Sequence, residues 1–319
     1  MTMLSAAIVQ ASPVFLNVTA GIEAAAEHIA QAADSGARLI AFGETWLGGY
    51  PLWLDEAPGA ALWDHPGAKQ LHRLLLEEAV HMGDARLGEL QEAADRTNAV
   101  IVIGAHERVR QSLYNTQLFF RPQAATPHLH RKLVPTHGER LVWARGDGAT
   151  LGAVASPWGP LGGLICWEHW MPLARAAMHR QGETVHVAQW PTVRETYLLA
   201  SRHYAFEGRC FVLAAGTVLG KDDVLQGFES LDANMAEART LLESLPAGRL
   251  QSGGSAIIGP TADILAGPAD AEATLLTVRL DLGAIAEALA ALDSDGHYSR
   301  PDIFTLTVNT KPQDGVVFD

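Results

Sequence analysis

Leu161-Gly-Gly-Leu-Ile-Cys-Trp-Glu-His-Trp-Met-Pro-Leu-Ala-Arg175 sets a single cysteine at the point where an apolar strand gives way to a helix. Leu161 to Ile165 is apolar and contains Gly162 and Gly163, which suits a short strand in close contact with neighbouring backbone. Pro172 opens a periodic run through Leu173, Ala176 and Ala177 that halts at Gly182, so proline begins the helix and glycine ends it. A thiol at this junction lies beside backbone N–H groups with no helical partner. Their partial positive charge is expected to lower the Cys166 pKa toward thiolate. A lone cysteine is more often a small buried hydrophobe, so the reading as a nucleophile needs partners.

Outward from this stretch, strands alternate with helices. Leu4 to Gln10, Arg38 to Phe42 and Ala99 to Gly104 read as strands, with helices over Val18 to Ala33, Leu71 to Val80 and Asp84 to Arg96. Tyr114 to Arg121 and Thr126 to Arg131 bracket a turn as a hairpin, and Gly152 to Ser156 pairs with Leu161 to Cys166 around Pro-Trp-Gly-Pro160. Thr184 to Ala188, Cys210 to Ala215, Ser255 to Ile258, Ala262 to Leu265 and Thr274 to Leu280 are further strands. Val193 to Glu207, a short Met235 to Leu245 and Leu282 to Leu292 are helices. This alternation implies an α/β fold, and the hairpins make its sheets mixed rather than all parallel.

With 319 residues and 48% hydrophobic content the chain can bury a large core. Strands run from end to end with no Pro/Ser-rich linker, so residues 1–319 are expected to form a single domain. A net charge of -13, with no basic run longer than Arg131-Lys132, argues against nucleic acid. The two cysteines form no spaced framework, which fits a reducing compartment. The N-terminus lacks a basic, then long apolar, leader, and no run approaches the roughly 20 apolar residues of a membrane span. A soluble, cytoplasmic protein is the expectation.

Glu44 and Lys132 share the placement of Cys166, each following an apolar strand-like run. Functional groups gather at strand ends because loops there converge over a rigid support. Together they make a plausible set: a nucleophile, a carboxylate to take its proton, and an ammonium to hold developing negative charge. His128, His130 and His137 are the one candidate zinc grouping, but their spacing fits no recognised ligand set, so no metal is expected.

Three ordered motifs carry a resemblance. Glu44 stands in Phe42-Gly-Glu-Thr-Trp-Leu-Gly-Gly-Tyr-Pro51, Lys132 in Arg131-Lys-Leu-Val-Pro-Thr-His-Gly-Glu139-Arg140, and Cys166 in Cys166-Trp-Glu-His-Trp-Met-Pro-Leu173. The chain resembles the nitrilase branch of the carbon-nitrogen hydrolase superfamily, whose members use a Glu-Lys-Cys triad. Further matches at 202–208, 253–258 and 296–302 extend the likeness over nearly the whole chain. Gly43 departs from the proline usual before the glutamate, which loosens that backbone.

The resemblance implies an αββα sandwich, two mixed sheets flanked by helices, assembled as a homodimer or larger oligomer. It implies hydrolysis of an organic nitrile to carboxylic acid and ammonia without a cofactor, through a thioimidate and a thioester. An amidase, a carbamoylase or a cyanide-degrading relative is the alternative. Cys166 would be the nucleophile and Glu44 the proton carrier. Lys132 and the Trp167 backbone N–H would stabilise negative charge, and Glu139 would orient Lys132 or the substrate. Trp167 and Trp190 are expected to line the pocket, whose size rests on the loops at 47–66 and 190–198.

Overall fold

Along β1 (Met3–Gln10) the side chains of Leu4, Ala6 and Ile8 enter one apolar layer, and those of Ala7 and Val9 enter another. Successive residues of a strand face opposite sides, so an apolar residue at nearly every position means a strand covered on both faces. The same division holds in β2 (Leu39–Phe42), where Leu39 and Ala41 go one way and Ile40 and Phe42 the other. The computed structural model describes residues 3–313.

The remaining strands are β3 (Val100–Val109), β4 (Ser112–Phe120), β5 (His128–Arg131), β6 (Val154–Ser156), β7 (Gly159–Ile165), β8 (Val185–Gln189), β9 (Phe211–Ala215), β10 (Val218–Gly220), β11 (Arg249–Ser252), β12 (Ala256–Ile258), β13 (Ile264–Ala266) and β14 (Thr274–Asp281). The helices are α1 (Val18–Asp34), α2 (Trp53–Glu56), α3 (Pro66–Glu78), α4 (Leu87–Thr97), α5 (Pro172–His179), α6 (Glu195–Gly208), α7 (Lys221–Glu229), α8 (Ala236–Glu243) and α9 (Gly283–Leu289). Two six-stranded sheets run in the orders β14-β1-β2-β3-β4-β5 and β13-β12-β9-β8-β7-β6. Each has a parallel centre, β1-β2-β3 or β7-β8-β9, with antiparallel pairs on both sides.

The inner faces meet in one core, where Leu4, Ala6, Ile8, Leu39 and Phe119 pack with Leu161, Val187, Phe211 and Leu213. Helices α1 and α4 cover the outer face of the first sheet, and α5 and α6 cover that of the second. The order is therefore helix, sheet, sheet, helix, as expected. Gln117 Nε2 donates to the Val187 carbonyl at 3.1 Å, and Gln189 Nε2 to that of Phe42 at 3.0 Å, cross-linking the sheets inside their shared core. A separate apolar cluster joins α2, α3, α7 and α8 beside the sandwich.

The structure departs from the sequence expectations in several places, three of them sizeable. β3 continues past Gly104 to Val109 and pairs with β4 as a long hairpin, because the polar His106, Glu107 and Thr116 along it are buried with partners. α3 begins five residues before Leu71, with His65 Nδ1 capping the Ala68 N–H and Pro66 at its first turn. α7 and the β10–β11 pair lie in a stretch that carried no clear periodicity.

Candidate active site

Three strand ends supply the site. Glu44 follows β2, and its loop can reach β3 because residue 104 is glycine: a Cβ there would lie 2.3 Å from the Thr45 backbone nitrogen. Gly43 is pinned rather than loosened. A Cβ on it would meet Thr217 Oγ1 at 2.2 Å, and the next residue's N–H, that of Glu44, donates to the Trp190 carbonyl at 3.2 Å. Lys132 follows β5, its N–H donating to the Asn115 carbonyl at 2.9 Å and its own carbonyl accepting from Gly146 at 2.8 Å. Cys166 follows β7 at a φ of +53°, a left-handed conformation costly for a residue with a Cβ, and opens a 3-10 turn (Cys166–Trp170) before α5.

The side chains converge. Lys132 Nζ donates to Glu44 Oε1 at 2.8 Å and to both oxygens of Glu139, at 2.7 and 3.0 Å. Single atoms of Glu44, Glu139 and Cys166 all lie within 4.8 Å of one another. Asn115 Nδ2 donates to Glu44 Oε1 at 2.7 Å, which leaves Glu44 Oε2 buried without a partner among the described residues. Glu139 sits in a 3-10 turn (His137–Leu141), where its carboxylate accepts from the Thr136 N–H at 2.7 Å and from the Tyr50 hydroxyl at 2.9 Å.

Protonation follows from burial. Loss of solvent pushes Glu44 up to about 7, against the opposing pull of the Lys132 charge and helped by the Glu139 carboxylate. Lys132 is also buried, yet the facing Glu44, Cys166 and Glu139 hold its pKa above the usual lysine value, so it stays an ammonium. Burial, then the charge of Glu44, raises the Cys166 thiol well above its ordinary pKa. Lys132 and the Trp167 N–H pull the other way and do not prevail. The expected thiolate is thus corrected: Cys166 rests as a thiol, because desolvation and two carboxylates outweigh a helix-end dipole.

A third carboxylate braces these pieces. Glu168 accepts from the Ile165 N–H at 2.6 Å, from the Leu133 N–H at 2.7 Å and from His130 Nε2 at 3.0 Å. It thereby ties the Leu133 backbone, just after Lys132, and the His130 side chain, two residues before it, to the residue before Cys166. His106 does the same for the Tyr50 loop, with Nε2 against the Gly49 carbonyl at 2.8 Å and Nδ1 accepting from Trp143 at 3.1 Å. Sequence reading assigned neither residue a role, although Glu168 stood inside the motif that contains Cys166.

Cys166 opens onto a cavity of about 270 Å³ walled by Tyr50, Trp167, Tyr197, Arg194, Gln251 and Glu139. Trp167 is in this wall, as expected. Trp190 is not: its ring is fully buried, stacked on Tyr197 at 4.6 Å and bonded to Ser201 Oγ at 3.1 Å, so it backs a wall residue from inside the core. The loops at 47–66 and 190–198 do contribute, and β11 adds Leu250 and Gln251, which sequence alone did not indicate. The three histidines considered for zinc have different surroundings: His130 is buried on Glu168, His128 packs edge-on to Phe119, and His137 is exposed beside Asp55.

A thiol, a proton-accepting carboxylate with one free oxygen, and a buried ammonium facing one small cavity form a set able to attack an electrophilic carbon attached to nitrogen. Residues 5–289 match the carbon-nitrogen hydrolase family. The chain is 37% identical over 317 residues to "Nitrilase 2" of Arabidopsis thaliana, covering 99% of this chain and 92% of that one. It is 38% identical to "Aliphatic nitrilase" of Sinorhizobium fredii, with 99% of both chains covered. The crystal structure of a carbon-nitrogen hydrolase from Helicobacter pylori shares the fold, with a TM-score of 0.68 at 17% identity, covering 94% of this chain and 97% of that one. The protein is thus a hydrolase of carbon–nitrogen bonds other than peptide bonds. It belongs to the carbon-nitrogen hydrolase family, in its nitrilase branch.

Proposed function

We propose that this protein hydrolyses a small organic nitrile to the carboxylic acid and ammonia, with Cys166 as nucleophile and Glu44 as the group that moves protons. The observation that carries the reading is the ammonium of Lys132 held by two carboxylates beside a cysteine thiol on a cavity of about 270 Å³. That volume is just below the range usual for drug-sized ligands, and the ring surfaces of Tyr50, Trp167 and Tyr197 suit a compact apolar substituent.

The chemistry follows from what a nitrile requires. Glu44 removes the thiol proton as sulfur bonds to the nitrile carbon, and the π pair displaced onto nitrogen takes that proton from Glu44, leaving a thioimidate. Water adds to the same carbon while giving its proton to Glu44. Glu44 returns that proton to nitrogen and then relays a second one from the new hydroxyl, so that the C–N bond breaks as the C=O bond forms, ammonia leaves and a thioester remains. A second water attacks in the same way, the C–S bond breaks, and the thiol regains its proton. Lys132 and the Trp167 N–H stabilise the negative charge of the tetrahedral species, and Glu139 orients Lys132. No cofactor enters these steps.

The chain works as a single domain, since residues of both sheets form the one site, and it acts in the cytoplasm as a homodimer or larger homo-oligomer. The described residues include no helix long and apolar enough to cross a membrane. The decisive experiment offers matched nitriles and amides to the purified protein and follows ammonia release, with the product identified by mass spectrometry. Acid and ammonia from the nitrile, abolished in a folded Cys166→Ala variant, is the expected result. Turnover of the amide alone would make the protein an amidase, and substantial activity without the cysteine would remove the nucleophile assignment.

A further inference from the structure

Cys166 is held on its backbone by a buried chain of polar groups, none of which lines the cavity. His169 Nδ1 lies 2.7 Å from the Cys166 carbonyl oxygen, and His169 Nε2 lies 3.0 Å from His186 Nε2. His186 Nδ1 lies 2.7 Å from Glu183 Oε1, and the Tyr204 hydroxyl donates to Glu183 Oε2. His169, His186 and Tyr204 are at most 1% exposed, and Glu183 is 5% exposed. The carboxyl reaches this depth because residue 162 is glycine: a Cβ there would sit 1.5 Å from Glu183 Oε1.

Counting hydrogens along the chain fixes its protonation. A carbonyl oxygen only accepts, so His169 Nδ1 carries a hydrogen. Burial, with His186 nearby, pushes His169 down to about 3, so that ring is neutral and its Nε2 offers a lone pair. The hydrogen between the two rings therefore belongs to His186. Burial, then the charge of His179, holds His186 well below the usual histidine value, so His186 Nδ1 also offers a lone pair. The hydrogen in the next contact must then come from Glu183.

We propose that Glu183, as a neutral carboxylic acid, is a positioning residue that orders His186 and His169 and thereby holds the Cys166 peptide in its left-handed conformation. This rests on Cys166 being the nucleophile, and it adds a residue 17 positions away that never meets the substrate. A strained backbone persists only where its surroundings over-determine it, and this chain supplies the constraint on the Cys166 carbonyl. Once Glu183 loses its proton, one contact in the chain must oppose two lone pairs. The ionised carboxylate tolerates this least, so each ring's hydrogen shifts one position toward Glu183. The opposed lone pairs then fall between His169 Nδ1 and the Cys166 carbonyl, which His169 no longer holds.

The other titratable groups near the chain are His179 from α5, Nδ1 at 3.9 Å from Glu183 Oε2, and Cys210 just before β9. His130 and Glu168 act on His186, and Glu207, paired with Arg175, bonds His179 on its far side. Burial dominates over all of them and raises Glu183 to about 7.

Glu183→Gln separates this proposal from a merely structural role, since a carboxamide N–H₂ donates to His186 at any pH while its oxygen still accepts from Tyr204. Glu183→Leu removes the donor. kcat and KM for nitrile hydrolysis are measured from acid to alkaline pH in all three proteins, and nitrogen-15 NMR of labelled histidine reports the tautomers in the resting state. The expected result is near-native kcat for Glu183→Gln, kept above pH 7 where the wild type declines. Glu183→Leu should lose on the order of 10²-fold in kcat with KM little changed, the scale of a misplaced reacting group. NMR should show hydrogen on His169 Nδ1 and His186 Nε2, lost above about pH 7 in the wild type and retained in Glu183→Gln. Equal damage in both variants, an unchanged alkaline limb in Glu183→Gln, or an imidazolium at His186 would overturn the proposal. A wild type with no nitrile turnover would sink the functional reading, while the tautomer measurement would still test the hydrogen count.

Discussion

His130 and Glu168 form a fully buried ion pair, Nε2 3.0 Å from the carboxylate, joining the strand that presents Lys132 to the turn that presents Cys166. The same carboxylate accepts the N–H groups of Leu133 and Ile165. One side chain therefore sets the distance between the ammonium and the sulfur.

Glu168→Ala removes all of these contacts and leaves His130 buried without its carboxylate, its Nδ1 still 3.1 Å from the Thr150 carbonyl oxygen. Breaking a buried pair this way costs about 3–5 kcal/mol, and a reacting group displaced by about 1 Å costs on the order of 10²-fold in rate. Urea denaturation and kcat on a nitrile check both effects. A variant with unaltered kcat would show that the site does not depend on the brace.

The pair also makes stability depend on pH. Burial opposes the charge of His130, but the Glu168 charge and hydrogen bond prevail and raise its pKa above 6.5. Burial likewise opposes the Glu168 charge, yet His130 and two backbone N–H groups hold that residue below 4.5. The His130 contribution is full below 6.5 and is lost as pH rises through its folded value; the Glu168 contribution is full above 4.5 and is lost as pH falls. Denaturation midpoints against pH should therefore fall on the alkaline side in the wild type and flatten there in His130→Gln.

Glu44 must be ionised to accept the thiol proton, and burial places its pKa at about 7. kcat/KM should rise with pH through that region, reporting the free protein. Glu44→Gln should abolish turnover across the range with the fold kept. A rise centred near the ordinary carboxylate value would mean that Glu44 is more hydrated than its burial indicates.

Gly104→Ala tests the approach that delivers Glu44. The added Cβ would lie 2.3 Å from the Thr45 nitrogen and 2.8 Å from the Gly43 carbonyl oxygen, both backbone atoms that cannot swing aside. Overpacking of this kind costs about 1–3 kcal/mol. Activity should fall more than stability, because the shift moves the Glu44 carboxylate from Lys132. Thermal melts alongside kcat measure the two losses.

Tyr50→Phe deletes the hydroxyl that donates to Glu139 Oε1 at 2.9 Å. Hydrogen bonds to charged groups contribute about 1.5–3 kcal/mol, so kcat should drop by roughly 10- to 100-fold through a looser Glu139–Lys132 pair. Packing of the ring on Trp143, 5.8 Å between centroids, is kept. Loss seen only in KM would make Tyr50 a substrate contact instead.

The sequence by itself determined the layering and the chemical residues. Apolar residues on both faces of β1 and β2 require cover on two sides, and Glu44, Lys132 and Cys166 each announced themselves by ending a strand. These are local signals, since side-chain direction and strand ends depend on a few neighbouring residues. Protonation, orientation and bracing were decided only in three dimensions. The thiol's pKa depends on carboxylates from distant parts of the chain, and Trp190 looks the same in sequence whether its ring faces the cavity or the core. Glu168 and Glu183 read as ordinary carboxylates until the fold buries them. Desolvation and the meeting of charges arise from contacts between residues far apart in the chain, and no local pattern encodes them.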